Sequence, residues 1–446
     1  MTLSEDQQNA LDKIISFLDS YKQAFVLRGY AGTGKTTLMN HLVKYLNTNG
    51  DNYTLCAPTH RAKAVLKEKT KQNVVTVHKL LSLSPVIDIY DLDYKQLKFN
   101  SAGSDEFPFR SVVIIDEASM ITNDLFKLLS LYCESANSQL LFIGDPAQLK
   151  GVNEQNISKV FSLKDGATLS KIHRQEGDSE LLPVLEVLRD KSLNSFEESK
   201  NLIVDQNIKE FVKKYCVECK IGIDKGVTTH TKLLAYTNSR VQSYNTCVRK
   251  FLFKDSAPQK YHVGEILMAF ENFGKKEFKF CNSSDYIIKS CEEAEKTVDI
   301  FVLKGYDMVL YDSIDNMNMK VFILDEDKNE EILPQLAKTI EDIRINAIQS
   351  KKEKKYKYAK SCWVEYFNIM NSFATTKDLL YQKRVVKPKT FDYGYAITVH
   401  KSQGSSFDNV FIDIDNLSKC REEETKRQLQ YVGLSRTKTV ATIFTN

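Results

Sequence analysis

The sequence predicts an α/β protein that contains two parallel sheets flanked by helices. Short apolar runs alternate with helix-length segments through the first 160 residues, and similar runs return after Lys232 and after Ala396. This alternation is typical of parallel strands joined by crossover helices. A chain of 446 residues is also too long for one ordinary core. We therefore expect two or three domains, each with its own interior.

The first of these sheets is predicted from four apolar runs that each end in a polar motif. Open α/β sheets bind ligands beyond the carboxyl ends of their strands, so these four ends are expected to form one site. The runs are Ala24–Leu27, Tyr53–Thr59, Ser111–Glu117 and Gln139–Asp145.

The second sheet is predicted from runs that are separated by a long insertion. Between Gly264 and Lys387 the pattern changes to many short β-like pieces and charged clusters, which indicates a module that is part β and part helical. The expected domains are 1–160, with a smaller insertion at 82–110, then 161–263 joined to 388–446, and the inserted module 264–387. The runs of the second sheet are Lys232–Asn238, Ala396–His400, Asn409–Ile414 and Val440–Asn446.

The composition predicts a soluble protein with no membrane segment. Charged residues make up 27% and apolar residues 42%, and no apolar run approaches the ~20 residues of a membrane span. The N-terminal residues are acidic and lack the apolar core of a secretory signal. Nine cysteines in a chain of this length, several of them like Cys56 in apolar runs, fit a reducing cytoplasm.

The cysteine pair Cys216 and Cys219 has the spacing of two metal ligands. A tetrahedral zinc site needs four ligands, and no second such pair occurs. This favours two unrelated cysteines on a helix surface. The net charge of +4 is mild, so a nucleic-acid surface has to be found locally rather than from the total.

The segment GYAGTGKTT follows the first apolar run and matches the phosphate-binding pattern G-x-x-x-x-G-K-[ST]. Backbone amides at the start of the following helix cradle phosphates, Lys35 reaches the β and γ oxygens, and the Thr36 hydroxyl binds Mg²⁺. The motif therefore predicts a site for ATP and Mg²⁺. Its nucleotide-binding residues are Gly29, Ala31, Gly32, Thr33, Gly34, Lys35, Thr36 and Thr37.

Polar residues after the next two strands predict the rest of the hydrolytic machinery. Asp116 is expected to hold Mg²⁺ and Glu117 to polarise the attacking water, although an acidic pair alone is also common at helix starts. Gln148 in GDPAQL is expected to sense the γ-phosphate, although Gly, Asp and Pro also cluster in plain turns.

Arg174 and Arg436 are candidates for the guanidinium that stabilises transition-state charge in P-loop enzymes. Spacing does not single them out from the 62 lysines and arginines of the chain, for which a solvated surface position is the default.

The ordered motifs QQNAL, GYAGTGKTT, APTHRAKAVL, TVHKLL, VVIIDEAS, GDPAQL, LSKIHRQ, TVHKSQG and YVGLSRTK resemble those of the superfamily 1 helicases of the 5′→3′ class. The resemblance is to the RecD-like group, and most closely to the compact Dda helicases of T4-like phages. It implies two RecA-like domains that clamp ATP and step along single-stranded DNA.

The resemblance also implies roles for individual residues. Gln7 would contact adenine, Gly404 would lie at the nucleotide, and Arg174 and Arg436 would reach the γ-phosphate from the second domain. The implied DNA contacts are Pro58, Thr59, His60, Thr76, His78, Thr398, His400, Ser402 and Gln403.

The two insertions fall where this family carries accessory modules. The 82–110 insertion would be a strand-separating pin with Phe99 at its tip, although a buried core phenylalanine is an equal alternative. The 264–387 insertion would be an SH3-like module that closes over DNA.

Two segments depart from the family pattern. Lys150-Gly151-Val152 follows GDPAQL where two prolines are usual, which affects the stiffness and DNA contacts of that loop. The run KKEKKYKYAK (351–360) interleaves lysines with Tyr356 and Tyr358, which fits either a phosphate-tracking surface or a solvated helix face.

Together these features predict an ATP-dependent DNA helicase that moves 5′→3′ and serves replication, recombination or repair. The expected partners are single-stranded DNA, the DNA fork, and a single-stranded-DNA-binding protein or replisome component, with the chain itself a monomer. The alternatives are a translocase that strips proteins with little unwinding, a regulatory P-loop switch, and a non-enzymatic scaffold.

Overall fold

The computed structural model describes residues 3–86, 98–101, 107–150, 154, 157–171, 180–254, 260–275, 278–313 and 315–446. Within them lie two parallel sheets and one antiparallel sheet, together with three two-stranded ribbons. The parallel sheets are called here the first and second parallel sheets, and the antiparallel one the inserted sheet.

The first parallel sheet has six strands in the order β3-β2-β6-β7-β1-β8. Its central strands are buried on both faces because helices cover both, which explains their continuous apolar runs. The strands are β1 (Ala24–Gly29), β2 (Tyr53–Ala57), β3 (Val74–Thr76), β6 (Val112–Ile115), β7 (Gln139–Gly144) and β8 (Gly166–Leu169). The helices are α1 (Glu5–Leu18), α2 (Lys35–Asn49), α3 (His60–Thr70), α4 (Val77–Leu80) and α5 (Asn123–Ser135).

The last strand of this sheet, β8, lies beyond the boundary at residue 160 that the sequence predicts. It pairs with β1 from Val26↔Gly166 to Gly29↔Leu169. The boundary at 160 is therefore too early for the sheet, because β8 is only four residues long and gives no clear apolar run.

The second parallel sheet has five strands in the order β20-β10-β21-β22-β9. The strands are β9 (Leu202–Asp205), β10 (Thr231–Ala235), β20 (Ala396–Thr398), β21 (Phe407–Asp413) and β22 (Thr437–Phe444). The helices are α6 (Leu181–Val187), α7 (Ile208–Asp224), α8 (Asn238–Phe253), α11 (Ile414–Leu417) and α12 (Glu423–Ser435).

The inserted sheet is antiparallel, in the order β16-β15-β14-β11-β19, and a pair of helices follows β16. Its strands are β11 (Ile266–Ala269), β14 (Asp285–Val298), β15 (Phe301–Asp312), β16 (Met317–Leu324) and β19 (Phe391–Tyr393). The helices are α9 (Leu333–Lys352) and α10 (Tyr356–Met370), and two ribbons are β12 (Phe273–Lys275) with β13 (Phe278–Phe280), and β17 (Leu379–Tyr381) with β18 (Arg384–Lys387).

The inserted sheet also extends past its predicted end at residue 387, because β19 pairs with β11 through Ala269↔Phe391. The expected mixture of strands and helices is present. The SH3-like character of the module stays a prediction. The basic run 351–360 lies at the turn between α9 and α10, where every residue except Ala359 is exposed.

The smaller insertion contains an antiparallel ribbon of β4 (Leu83–Val86) and β5 (Lys98–Ser101), in which Phe99 pairs with Pro85. The side chain of Phe99 and residues 87–97 and 102–106 lie outside the described part of the chain. The role of this ribbon as a pin therefore stays a prediction.

The positions of three cysteines confirm one prediction from the sequence and correct another. Cys56 is buried in β2, as expected for a small apolar side chain. Cys216 and Cys219 are also buried, not on a helix surface, because they lie on the face of α7 that packs against Phe411 of the second parallel sheet. No helix in the described ranges combines the length and apolar character that a membrane span requires.

Candidate active site

The phosphate-binding loop connects β1 to α2 at the carboxyl edge of the first parallel sheet. Gly32 and Gly34 have φ angles of 81° and 78°, a left-handed conformation that favours glycine. A Cβ atom on Gly34 would lie 2.2 Å from Nε2 of Gln7. No side chain fits at this position without displacing Gln7.

Gln7 braces the loop from α1. Its Oε1 accepts a hydrogen bond from the Ser4 amide (3.1 Å), and its Nε2 donates to the Thr33 carbonyl (3.1 Å). Ser4 and Gln7 form a capping box at the start of α1, so the same glutamine begins the helix and fixes the loop. The contact of Gln7 with adenine stays a prediction.

The start of α2 provides the anion-binding end of the loop. Lys35 is the first residue of α2, and its ammonium donates to the carbonyls of Gly29 (2.6 Å) and Tyr30 (3.0 Å). Thr36 and Thr37 follow in the first helical turn. Unpaired amides and the positive end of the helix dipole make such a helix start favourable for phosphate.

Two carboxylates follow β6 beside this loop. The Asp116 amide donates to the Cys56 carbonyl (3.0 Å), which continues the pairing of β6 with β2, and Glu117 has a φ of 53°. Burial and the neighbouring Glu117 raise the pKa of Asp116 to about 6, while the positive charge of Lys35 opposes this shift.

The oxygen donors present are suited to Mg²⁺. Thr36 and Asp116 are hard oxygen ligands, and Mg²⁺ in nucleotide sites takes one or two protein ligands and fills its shell with phosphate oxygens and water. Among the described residues there is no cluster of three or more His, Cys, Asp or Glu side chains that could hold a metal by themselves. The negative charge of the Asp116 carboxylate is unfavourable in this buried position, and a bound cation would stabilise it.

Gln148 joins the two parallel sheets across the cleft. In the amide orientation that satisfies both ends, its nitrogen donates to Oε2 of Glu117 (3.3 Å) and its oxygen accepts from Nη2 of Arg436 (3.2 Å). Three residues that the sequence predicts to act together therefore form one hydrogen-bonded chain.

Arg436 is buried at the end of α12, with 6% of its surface exposed. It also donates to the Ser405 carbonyl (3.2 Å) and to Oγ of Ser435 (3.0 Å), so its guanidinium is held in place. Arg174 lies outside the described residues, and its role stays a prediction.

A second link across the cleft was missed by the sequence analysis. The hydroxyl of Tyr431, on α12, donates to Oδ2 of Asp145 (2.7 Å) and accepts from the Ala31 amide (2.9 Å). Burial raises the pKa of both Asp145 and Tyr431. The only sequence signal was proximity, since Tyr431 begins the same YVGLSR segment that contains Arg436.

The loop after Gln148 forms a third link. Lys150, one of the residues that depart from the motif pattern of the resemblance, pairs with Oε1 of Glu422 (3.0 Å), next to the start of α12. Gly151 and Val152 lie outside the described part of the chain.

The predicted DNA-contacting residues follow strand ends in both parallel sheets. Thr59 follows β2, and its hydroxyl accepts a hydrogen bond from a backbone amide at the start of α3. Thr76 is the last residue of β3, and its hydroxyl accepts from a backbone amide at the start of α4. Pro58 is buried, whereas His60 and His78 are partly exposed, and burial lowers the pKa of His78.

The corresponding residues of the second parallel sheet follow β20. His400 is exposed, but Ser402 is fully buried and donates to the Val399 carbonyl (2.7 Å). Gln403 donates to the Leu149 carbonyl (3.3 Å), which adds a further contact between the sheets.

Gly404 and Thr398 complete this segment. Thr398 ends β20 and is partly exposed. Gly404 has a φ of 72°, and a Cβ there would lie 3.1 Å from Cβ of Ala62 on α3. The segment after β20 therefore packs closely against α3 at Gly404, where a larger residue would not fit without a shift. The contact of Gly404 with the nucleotide stays a prediction.

Two family models match the chain. A model described as an AAA domain matches residues 2–204, and a model described as a UvrD-like helicase C-terminal domain matches residues 393–443. The matched regions include the phosphate-binding loop and the segment that carries Arg436.

Two relatives are similar along nearly the whole chain. The "ATP-dependent DNA helicase dda" of Enterobacteria phage T4 is 25% identical over 461 residues, covering 97% of both chains. The "RecBCD enzyme subunit RecD" of Buchnera aphidicola is 23% identical and covers 99% of this chain and 73% of the relative.

Among solved structures, a Pif1 helicase from Bacteroides in complex with ADP-AlF3 and ssDNA is similar in fold. It has a TM-score of 0.52 and 18% identity, covering 100% of this chain and 94% of the other. At this identity the similarity concerns the fold.

Proposed function

We propose that this chain, a superfamily 1 helicase related to the Dda and RecD helicases, hydrolyses ATP to move 5′→3′ along single-stranded DNA and to separate duplex DNA. The observation that carries the proposal is the hydrogen-bonded chain from Glu117 through Gln148 to Arg436. It joins the water-activating carboxylate of one domain to the charge-stabilising arginine of the other.

Hydrolysis is divided between the two sides of the cleft. On the first parallel sheet, Lys35 and the amides of the phosphate-binding loop hold the β and γ phosphates, and Glu117 orients and polarises the attacking water. On the second sheet, Arg436 neutralises the charge that develops on the γ-phosphate. Thr36 and Asp116 would hold Mg²⁺, and the bound cation would supply further neutralisation of charge on the phosphate oxygens.

Movement follows from the position of Gln148. Because it contacts both Glu117 and Arg436, loss of the γ-phosphate changes the partners of both residues and weakens the link between the sheets. Strand-end residues of each sheet that hold DNA would then grip it alternately, and one round of closure and opening advances the chain.

Strand separation needs a wedge at the fork. We assign it to the ribbon of β4 and β5, with Phe99 as the residue in contact with the fork. The module of the inserted sheet, α9 and α10 would hold the single strand against the motor. Each base-pair step costs ~1.4 kcal/mol of stacking on average, which one ATP can supply.

The test is an unwinding assay on duplexes with either a 5′ or a 3′ single-stranded tail, with ATP turnover followed in parallel. We expect unwinding of the 5′-tailed duplex and strong stimulation of turnover by single strands. Unwinding of only the 3′-tailed duplex would reverse the direction. Turnover that is indifferent to DNA would instead favour a regulatory switch.

Two variants separate the parts of the proposal. Lys35→Ala should abolish turnover, and unchanged turnover would contradict the assigned nucleotide site. Phe99→Ala should lose unwinding and retain DNA-stimulated turnover. If unwinding is weak in the wild type and unchanged in Phe99→Ala, the chain is a translocase that displaces bound proteins.

A further inference from the structure

Two lysines approach one phenylalanine where the inserted sheet meets the second parallel sheet. The ammonium of Lys401, which follows β20, lies 3.1 Å from the ring centroid of Phe270, and that of Lys389 lies 4.0 Å from the same centroid. Phe270 directly follows β11 and is fixed by its amide, which donates to the Thr390 carbonyl (2.8 Å). The two cations therefore come from different parts of the fold.

The two lysines differ in their partners. Lys389 pairs with Oδ2 of Asp392 (2.8 Å), whereas Nζ of Lys401 is buried and has no hydrogen-bond partner among the described residues. The face of an aromatic ring attracts a cation but supplies no hydrogen-bond acceptor comparable with a carboxylate or phosphate oxygen. A buried ammonium without an acceptor is costly, so its position requires a reason.

Neither neighbouring carboxylate bonds Lys401, although Oδ1 of Asp285 is itself buried without a hydrogen-bond partner among the described residues. The carboxylate of Asp285 is already shared by Lys232 (3.0 Å) and Arg61 (3.5 Å) through the same Oδ2 atom. Asp392 is engaged by Lys389. Four basic side chains therefore share two carboxylates, which leaves an excess of positive charge while Lys401 is protonated.

The position of this positive charge, beyond the ends of two strands, indicates the class of ligand that it would bind. Lys401 lies between His400 and Ser402, beyond the end of β20, and Arg61 lies directly after His60, beyond the end of β2. Both strand ends belong to the surface on which the proposed function requires a DNA strand. An anion that arrives there with every nucleotide is the backbone phosphate.

We propose that Lys401 and Lys389 bind one phosphate of single-stranded DNA, with Phe270 holding the Lys401 ammonium in position until the phosphate arrives. This inference rests on the proposed function. The lysine side chain is flexible enough to turn from the ring towards a phosphate oxygen. A contact made to the phosphate and not to a base edge carries no sequence preference, as a moving enzyme requires.

The protonation state of Lys401 makes DNA binding at this site depend on pH. Burial and the positive charge of Lys389 lower the pKa of Lys401 to about 7, while Asp392 and Asp285 oppose the shift. A bound phosphate adds a negative charge and raises this pKa, so DNA binding above pH 7 takes up a proton. Affinity for DNA should therefore fall as the pH rises from 7 to 9.

The experiment measures binding of a fluorescent oligo(dT) strand by anisotropy, without nucleotide, across salt concentrations at pH 7 and pH 9. Lys401→Met should reduce the slope of log K against log salt by about 0.7 and remove the pH dependence. Lys401→Arg should keep the slope and remove the pH dependence. Lys13→Met, an exposed lysine on α1, should change neither quantity.

Lys389→Met provides a second, independent variant. It should also reduce the salt slope by about 0.7, and it should move the pH dependence to higher pH because the repulsion on Lys401 is removed. Thermal unfolding of each variant identifies any that fails to fold.

The outcomes separate the site from the proposed function. A folded Lys401→Met protein that binds oligo(dT) with the wild-type salt slope and pH dependence would overturn the phosphate site and leave the helicase proposal intact. A wild-type protein that binds no oligo(dT) at pH 7 and low salt would overturn both.

Discussion

The two parallel sheets resemble each other in architecture and differ in what they bring to the cleft. The first carries its functional groups at strand ends, where the phosphate-binding loop follows β1 and Asp116 and Glu117 follow β6. The second has no phosphate-binding loop at its described strand ends and instead contributes Tyr431 and Arg436 from one helix, α12.

This difference indicates a division of labour. In the proposed mechanism, groups at the strand ends of the first sheet hold the nucleotide whatever the position of the second sheet. Arg436 and Tyr431 contact this site through α12, so in the proposed mechanism they would make hydrolysis depend on closure of the cleft. Variants of Arg436 and Tyr431 should therefore affect turnover and leave nucleotide binding largely intact.

The largest effect is expected from the second sheet. Arg436→Ala should lower ATP turnover by about 10³-fold or more and leave nucleotide binding nearly unchanged, because the arginine acts on transition-state charge. Turnover and binding of a fluorescent ATP analogue measure the two quantities. Arg436→Lys should also be impaired, since an ammonium cannot keep the bonds to both Ser405 and Gln148. Equal losses of binding and turnover would contradict this separation.

A somewhat smaller loss is expected from the carboxylate on the first sheet. Glu117→Gln should lower turnover by about 10² to 10⁴-fold, the range for a positioned base, and it should still bind ATP. Its volume and its place beside Gln148 are retained, so thermal stability serves as the control. A variant with wild-type turnover would assign water activation to another group.

The contrast between the two sheets also explains which site residues could be predicted from the sequence. Gly34, Lys35, Asp116 and Glu117 have local spacing that fixes their chemistry, and the structure brings them to one edge of a sheet. Gln148 was predicted from its place after a strand and Arg436 was only a candidate that the resemblance supported, but no local pattern indicates that residues 288 positions apart share a hydrogen bond.

Other residues could not be predicted because their roles depend on approach between distant segments. Tyr431 is one tyrosine among 21, and only the packing of α12 against the phosphate-binding loop places it at Asp145. Lys401 appears in the sequence as part of TVHKSQG, but its lack of a partner depends on the inserted sheet. The short strands β8 and β19 were likewise missed because pairing, not composition, makes them strands.

An intermediate effect is expected when Asp116, in the first parallel sheet, is replaced, and it concerns the stability of the folded protein. The pKa of Asp116 is raised from 3.8 to about 6, so the folded protein binds more protons than the unfolded chain between these values. Stability is therefore lost as the pH rises from about 4 to 6. Asp116→Asn should increase the free energy of unfolding by roughly 1–3 kcal/mol at pH 7.5, and the gain should vanish near pH 4. Urea unfolding at both pH values measures it.

The smallest effect is expected from the tyrosine that crosses the cleft, and the chain supplies a matched control. Tyr431 and Tyr244 are both buried and both donate to a buried aspartate, Tyr431 to Asp145 (2.7 Å) and Tyr244 to Asp413 (2.6 Å). The second pair lies wholly on the side of the second parallel sheet. The first pair joins the two sheets.

Replacing either hydroxyl leaves a buried carboxylate with one donor fewer, which costs about 1–3 kcal/mol. In Tyr244→Phe this cost should appear as a lower free energy of unfolding, with DNA-stimulated turnover unchanged. In Tyr431→Phe part of it should appear as weaker closure, so basal turnover falls and the DNA concentration for half-maximal turnover rises several-fold, while turnover at saturating DNA changes little. If both variants lose only stability, Tyr431 supports the fold, and coupling across the cleft depends on Gln148 and Arg436 alone.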